Sequence, residues 1–267
     1  MPPRSLWSGA ISFGLVNVPV KMMTAVSPKD VRFNQLHAKD HSRIQQKRFC
    51  AEEGVEIPFD EIVKGYEVRP GQYVVIEPEE LDGLDPVATH TIDILEFVDL
   101  DQIDPVYFDH PYYLVPDTRA EKAYALLARS LESTGKVGIA KFVMRTKEYL
   151  AAVRASQGAL VISTLLYGDE VVPIETLDVP GIETELSERE LKMAEALIES
   201  LTEKFDPDRY EDTYREKVME LIRQKDEGEE IVVHADVEPP TKVEDLMAAL
   251  EASVQAARDK RAAANEG

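Results

Sequence analysis

The chain has 267 residues, with 51 acidic and 30 basic side chains, and its net charge at neutral pH is −21. Hydrophobic residues make up 44% and charged residues 30%, a composition typical of globular proteins and too apolar for disorder throughout. This length is enough for one large domain or two modest ones with a sizeable core. The single cysteine, Cys50, excludes an internal disulfide and a multi-cysteine metal knuckle, and is typical of a reducing compartment.

The amino-terminal segment contains a short apolar run that is interrupted by polar residues and a proline. It therefore lacks the continuous apolar stretch of a signal peptide. No window of the sequence approaches 18 apolar residues, so no membrane span is expected. These features predict a soluble cytoplasmic protein with no membrane partner.

The charge is segregated along the chain. Residues 1–50 carry eight basic and two acidic side chains, and residues 121–160 carry seven and three. The segments 51–120 and 161–212 are instead net −15 and −11. Positive charge confined to two stretches of an acidic chain is compatible with polyanion binding at one surface. Ordinary fluctuation of charge along a chain is the alternative interpretation.

Alternating apolar residues predict short β-strands through most of the first 170 residues. Such runs occur at residues 11–20, 31–36, 66–68, 72–76, 91–98, 112–115, 148–155 and 159–167. Turn residues at 69–71 and 156–158 predict two hairpins. Many short strands separated by turns favour an antiparallel barrel or sandwich.

Helical patterns occur once within this region and again toward the end of the chain. Thr118 and Glu121 have the spacing of a capping box, before a helix that ends at Gly135. Three further capping boxes precede apolar residues at helical spacing: Ser187 with Glu190, Thr213 with Glu216, and Thr241 with Glu244. The change of pattern predicts a core domain at residues 1–180 and a helical C-terminal region at residues 181–267.

The sequence contains no motif for an enzymatic centre. Phosphate-loop, dinucleotide-binding, zinc-protease and nucleophile-elbow patterns are all missing. His37 and His41 have the spacing of a metal pair on a helix, but their surroundings predict a turn and offer no further ligand at suitable spacing. We therefore predict no catalytic residue, no metal and no cofactor. A metal-dependent hydrolase using these two histidines is the least favoured alternative.

Several long segments carry the pattern of a known family. They are SLWSGAISFGLVNVPVKMM, FNQLHAKDHSRIQQKRFC, DEIVKGYE, GQYVVIEPEEL, TIDILEFV, IDPVYFDHPYYLVPD, KAYALLARSLESTGKVGIAKFVMRTKE and KFDPDRYEDTYREKVMELI. Together they closely resemble the prokaryotic Ku family over nearly the whole chain. The resemblance implies an α+β fold: an antiparallel β-barrel core, a helical arm and a small helical C-terminal region. It also implies a homodimeric ring that binds double-stranded DNA ends and recruits an ATP-dependent multi-domain DNA ligase for non-homologous end joining.

The chain departs from the family pattern in two places. Many members carry a Cys-x-x-Cys-Gly run, whereas this chain has Cys50 and Gly54 with Glu53 in place of the second cysteine. A knuckle-like metal site is therefore not expected. Some members also end in a long lysine-rich extension, whereas this sequence stops soon after Arg261. Functions attributed to that extension are not carried over.

The basic stretches coincide with the segments that resemble the family. The candidate DNA-binding residues are Arg32, Lys39, Arg43, Lys47, Arg48, Lys136, Lys141, Arg145 and Lys147. On a regular strand Lys141, Arg145 and Lys147 would share one face, and phosphate is a suitable partner for such a face. Alternatively, the stems of these side chains cover the rim of a barrel while their charges stay in solvent. Because no helix-turn-helix or finger motif is present, contacts with the DNA backbone are expected.

Together these inferences predict a non-enzymatic homodimer that binds DNA ends in the cytoplasm, associated with the nucleoid. A ring lined with lysine and arginine admits a duplex only at a free end, so end specificity needs no reading of bases. The helices after residue 187 are acidic on their exposed faces, which suits a protein partner such as the ligase. The alternative is a β-barrel scaffold for protein–protein contacts that does not bind DNA.

Overall fold

The computed structural model of the chain describes residues 5–77, 80–81, 90–179, 186–228 and 246–265. Contacts group the chain into two units. The first comprises Met1–Lys29 and Asn34–Pro173, and the second comprises Asp30–Phe33 and Ile174–Gly267. The domain boundary predicted between residues 180 and 181 lies outside the described residues. The division into domains at residues 1–180 and 181–267 therefore stays a prediction.

Seven strands of the first unit close into a β-barrel. The strands in chain order are β1 (Ser5–Phe13), β2 (Val16–Thr24), β3 (Lys64–Arg69), β4 (Gln72–Ile76), β5 (Thr91–Asp99), β6 (Phe108–Pro116), β7 (Lys136–Met144), β8 (Lys147–Ser156) and β9 (Ala159–Leu165). The order around the barrel is β1-β2-β6-β9-β8-β7-β5, and β3 pairs with β4 in a separate hairpin. The predicted α+β class and barrel core are confirmed.

Two details of the strand prediction are wrong. The barrel is not wholly antiparallel, because β1 and β5 pair in parallel. Residues 31–36 form no strand, and of them only Leu36 pairs, in an isolated bridge with Arg43. Between β2 and β5 the described chain has the β3–β4 hairpin, one 3-10 turn, two helical residues at 80–81 and irregular segments.

Alternation along the strands separates an inner from an outer face of the barrel. On β7, Ala140 and Phe142 belong to the main core, whereas Val137 and Ile139 belong to a second cluster on the opposite face. Because successive side chains of a strand point to opposite faces, the main core fills the barrel and the second cluster lies outside it. The apolar alternation in the sequence is the direct cause of this arrangement.

One helix, α1 (Glu121–Thr134), packs its buried face into the main core. Its N-cap is Ala120, which makes no side-chain cap, so the predicted capping box is wrong. Gly135 ends the helix with a φ of +66°, as predicted, because this left-handed conformation suits glycine. The Tyr124 hydroxyl joins the helix to two strands. It donates to the Leu114 carbonyl at 2.6 Å and accepts from the Leu160 N–H at 2.7 Å.

The second unit contains three helices among its described residues: α2 (Glu188–Leu201), α3 (Thr213–Asp226) and α4 (Leu246–Asn265). The capping box of α2, Ser187 with Glu190, is confirmed. The cap of α3 is Asp212, whose carboxylate accepts from the Arg215 N–H, and not the predicted Thr213. The box predicted at Thr241 and Glu244 lies outside the described residues. None of the helices that the structure describes is long and apolar enough to cross a membrane.

The Tyr124 hydroxyl provides a test of how α1 is held on the barrel. Replacing Tyr124 with Phe leaves the buried Leu160 N–H and Leu114 carbonyl without this partner, so the free energy of unfolding should fall by about 1–3 kcal/mol. Urea denaturation should show a lower midpoint at an unchanged m-value. The control is Tyr113→Phe, which removes an exposed hydroxyl from β6, the strand that carries Leu114, and should change stability by less than about 0.5 kcal/mol. Equal losses in the two variants would contradict the bridging role.

Candidate nucleic-acid interface

The β7–β8 hairpin holds three of the predicted DNA-binding residues. Strand β7 ends at Met144 and β8 begins at Lys147, so Arg145 lies in the two-residue turn between them. The expectation that Lys141, Arg145 and Lys147 lie along one continuous strand face is therefore wrong. All three residues nevertheless belong to one hairpin, and Arg145 lies at its tip, exposed to solvent.

Arg145 adopts a backbone conformation that is rare for its residue type. Its φ is +61°, in the left-handed region, which costs a non-glycine residue about 1–3 kcal/mol. Glycine is the residue that ordinarily occupies such a turn position. Its charge also acts on Tyr112, whose pKa is raised by burial and lowered, to a smaller extent, by Arg145. An exposed arginine at a strained backbone position is compatible with a role for its side chain.

Lys141 and Lys147 have partners within the hairpin. Lys141 lies on the outer face of β7, and its Nζ donates to Glu148 Oε1 at 2.8 Å. This hydrogen bond raises the pKa of Lys141. The Lys147 ammonium lies 5.2 Å from the centre of the Tyr149 ring, which stacks on Phe142. Among the described residues Lys147 therefore has no carboxylate partner, whereas the charge of Lys141 is balanced by Glu148.

Lys136 lies at the opposite end of β7. It is five positions before Lys141, a distance of roughly 17 Å along an extended strand. Its Nζ donates to Asp99 Oδ1 on the neighbouring strand at 2.7 Å. The structure therefore does not bring Lys136 together with the hairpin tip.

Two of the basic residues before Cys50 lie on a compact turn. The Leu36–Arg43 bridge closes the turn, and the His37 N–H donates to the Ser42 carbonyl at 2.8 Å. Asp40 accepts hydrogen bonds from the Ser42 N–H and hydroxyl, and these lower the pKa of Asp40. The turn predicted here is present, and it leaves Lys39 and Arg43 exposed.

The next two basic residues have local partners. Lys47 Nζ donates to Glu56 Oε2 at 2.8 Å. The Arg48 guanidinium lies 5.1 Å from the centre of the Phe59 ring, a cation–π geometry that leaves its charge available. The last candidate, Arg32, is exposed in the segment Asp30–Phe33, which groups with the second unit.

The nine candidates therefore divide by their partners. Lys47, Lys136 and Lys141 are each paired with a carboxylate. Within the described part of the chain, no carboxylate lies within 4.0 Å of the other six: Arg32, Lys39, Arg43, Arg48, Arg145 and Lys147. The assignment of DNA binding to any of the nine residues remains a prediction.

Sequence reasoning missed the carboxylates that partner the cations. The pairing of Lys141 with Glu148 is predictable from the sequence. A two-residue turn places Glu148 opposite Val143, and Val143 is two positions after Lys141 on the same strand face. The pairings of Lys136 with Asp99 and of Lys47 with Glu56 are not predictable in this way, since they depend on contacts that no local pattern predicts. The aromatic rings under Arg48 and Lys147 were missed for the same reason.

The described residues contain no group of three or more His, Cys, Asp or Glu side chains arranged to hold a metal ion. His37 Nδ1 lies 3.0 Å from Asp40 Oδ1, so it is engaged within its own turn. The Gly54 N–H donates to the Cys50 carbonyl at 2.9 Å, and the backbone N–H groups of Glu53 and Glu52 lower the pKa of the Cys50 thiol. Among the described residues, no cluster of ligands replaces the cysteine that the family pattern has at the position of Glu53.

Comparison with known proteins identifies a family. The model of the Ku70/Ku80 beta-barrel domain matches residues 12–193. The non-homologous end joining protein Ku of Anaeromyxobacter sp. (strain K) is 50% identical over 96% of this chain and 86% of its own length. Those of Heliobacterium modesticaldum and Bacillus subtilis (strain 168) are 45% and 40% identical, over 94% and 96% of this chain and 91% and 83% of their own lengths. The SPOC domain of human PHD-finger protein 3 aligns with 61% of this chain and 95% of its own at 13% identity and a TM-score of 0.30.

Replacement of Arg145 should affect thermal stability and affinity for duplex DNA in different ways. Arg145→Gly relieves the left-handed strain, so the variant should be at least as stable as the wild type in thermal unfolding. It also removes an exposed positive charge, so affinity for duplex DNA should fall and the salt dependence of binding should lose about one unit of slope. Arg145→Lys keeps the charge and should retain most of the affinity. An Arg145→Gly variant with undiminished DNA affinity would exclude this residue from the interface.

Proposed function

Because this chain belongs to the Ku family, we propose that it binds the ends of double-stranded DNA without sequence preference. Two copies form a ring around the duplex and act in double-strand break repair by non-homologous end joining. The ring recruits or stimulates an ATP-dependent multi-domain DNA ligase. The chain is not itself an enzyme in this proposal, and it acts in the cytoplasm at the nucleoid.

The observation that carries the DNA-binding part is the distribution of unneutralised positive charge. Lys39, Arg43 and Arg48 on one segment, and Arg145 and Lys147 on the β7–β8 hairpin, are exposed cations without a carboxylate partner within the described chain. They stand out because the whole chain is net −21. Point charges of this kind contact phosphates in any sequence, which suits a protein that must act on any broken end.

The hairpin β3–β4 supports assembly of two copies. Every residue of β3 is exposed, and Tyr66 and Tyr73 are 70% and 59% exposed. A two-stranded hairpin is only marginally stable in water unless its apolar side chains are covered. A second copy of the chain provides such a cover, and exchange of this segment between two protomers would close the ring.

The acidic second unit supports recruitment of a protein partner. The exposed faces of α2 carry Glu188, Glu195 and Glu199, which repel DNA. In the alternative function, a protein scaffold that does not bind DNA, these helices would also contact a protein partner. DNA binding therefore decides between the two functions.

Salt dependence tests the DNA-binding part. If about six to eight cations of the dimer meet phosphates, the logarithm of the affinity for duplex DNA should fall with the logarithm of salt at a slope of roughly −5 to −7. The double variant Lys47→Glu with Arg48→Glu should weaken binding to all sequences alike. The matched control, Lys192→Glu with Lys204→Glu, makes the same charge change on the second unit and should leave affinity almost unchanged. A flat salt response, or an altered base preference, would contradict backbone binding.

Light scattering tests the dimer. The wild type should have twice the 30.0 kDa mass of one chain at micromolar concentration. Replacing Tyr66 and Tyr73 with Ser removes the largest apolar groups of the hairpin and should shift the equilibrium to monomer. Tyr113→Ser, at an exposed tyrosine outside the hairpin, should remain dimeric. A wild type that is monomeric and still binds DNA ends would refute the ring.

A further inference from the structure

Three aromatic rings lie in a row at the end of the barrel that carries the β7–β8 turn. The Trp7 and Phe142 ring centroids are 6.1 Å apart with planes inclined by 78°, and those of Phe142 and Tyr149 are 5.5 Å apart with planes inclined by 26°. Phe142 and Tyr149 are direct cross-strand neighbours, and all three side chains belong to the main core or pack against it. These three residues are here called the aromatic row.

Tyr149, at one end of the aromatic row, contacts a cation. Lys147 is the first residue of β8 and is two positions before Tyr149, so the two side chains lie on the same face of the strand. Lys147 Nζ is 5.2 Å from the centre of the Tyr149 ring, within the range of a cation–π interaction. This contact restricts the rotamers of a long side chain that is otherwise free to move. Because an ammonium has three N–H donors, Lys147 can contact the ring and donate to a phosphate at the same time.

Trp7, at the other end of the aromatic row, fixes the strand just before the turn. Its Nε1 donates to the Val143 carbonyl at 2.9 Å, and Val143 is two positions before Arg145. The indole ring lies directly against Gly9, where a Cβ would come within 2.3 Å of the ring. The ring therefore has little room to move, and its hydrogen bond holds the backbone of β7 next to the turn. The aromatic row thus contacts both strands of the hairpin that presents Arg145.

Core packing accounts for part of this arrangement. Trp7 and Phe142 are 8% and 2% exposed, as expected for side chains that fill the barrel. Tyr149 differs, because it is only partly buried and also contacts a charged group. An aliphatic side chain could fill the same space, but it lacks the π-face that attracts an ammonium. The ring at position 149 therefore restrains Lys147 in a way that core packing does not require.

We infer that Tyr149 is a positioning residue for DNA binding: stacked on Phe142, it holds Lys147 near Arg145 so that both cations meet phosphates of the duplex backbone. Binding costs less conformational entropy when the interacting side chains are already ordered. Two cations restrained at one exposed turn therefore bind phosphates more tightly than the same charges on freely moving side chains. This inference rests on the proposed DNA binding, and it assigns no DNA contact to the aromatic row itself.

A double-mutant cycle tests whether Tyr149 acts through Lys147. Tyr149→Leu should lower the affinity for a linear duplex about two- to fivefold. In a Lys147→Ala background the same substitution should lower the affinity no further, because the ring then has no cation to hold. Tyr149→Phe keeps the ring and should keep the wild-type affinity. The control, Tyr113→Leu, removes a 45% exposed tyrosine ring from β6 and should also leave the affinity unchanged.

A second variant tests the ring without removing its volume from the core. A ring-fluorinated phenylalanine in place of Tyr149 keeps the size of the ring but weakens its attraction for a cation. The affinity for DNA should fall as it does in Tyr149→Leu, whereas the thermal unfolding temperature should stay close to that of Tyr149→Phe.

The outcomes separate this inference from the proposed function. A wild type that does not bind duplex DNA would overturn both. A wild type that binds DNA, with a Lys147→Ala variant that binds it equally well, would overturn the positioning role alone. Equal losses from Tyr149→Leu in the presence and absence of Lys147 would show that the ring only supports the barrel, and would also overturn the positioning role. Undiminished affinity of the fluorinated variant would do the same.

Discussion

The parallel pairing of β1 with β5 determines how the rest of the first unit is arranged. The strands meet through Ala10 with Thr91 and Ile11 with Ile92, and the Ala10 N–H donates to the His90 carbonyl at 2.9 Å. The approach is close, because a Cβ at Gly9 would lie 2.0 Å from the His90 oxygen. Since parallel neighbours cannot be joined by a hairpin, the chain between β2 and β5 must form a crossover. That crossover contains the turn with Lys39 and Arg43 and the exposed β3–β4 hairpin. The connection that barrel closure requires therefore carries the residues to which the proposed function assigns DNA contact and dimer contact.

The carboxylates beside the candidate cations are compatible with DNA binding. Lys47, Lys136 and Lys141 form exposed ion pairs, and such pairs contribute only about 0–1 kcal/mol. Exchange of a carboxylate for a phosphate therefore costs little when several phosphates are presented together. In the absence of DNA these pairs lower the positive charge of the surface, which reduces its attraction for other polyanions.

Local patterns in the sequence predicted the elements that depend on local physics. Alternation predicted the barrel strands, and the box of Ser187 with Glu190 predicted the start of α2, because both are read from adjacent residues. The residues at 31–36 alternate equally well but form no strand, because no neighbouring strand pairs with them beyond the single bridge at Leu36. The parallel closure and the carboxylate partners of Lys47 and Lys136 depend on residues distant in the chain. The charge of Arg145 is evident from the sequence, whereas its strained turn position depends on the pairing of β7 with β8.

The central claim is that the protein recognises DNA ends by topology, because a closed ring can be entered only by threading. It is tested most directly by comparing binding to linear and covalently closed circular duplexes of the same length and sequence at about 0.15 M salt, where non-specific contacts are screened. The account predicts strong binding to the linear form and little to the circle. It also predicts that protein loaded before both ends are blocked stays on the DNA, whereas protein added afterwards does not bind. Equal affinity for circle and linear duplex would contradict the threading mechanism even if DNA binding itself were strong.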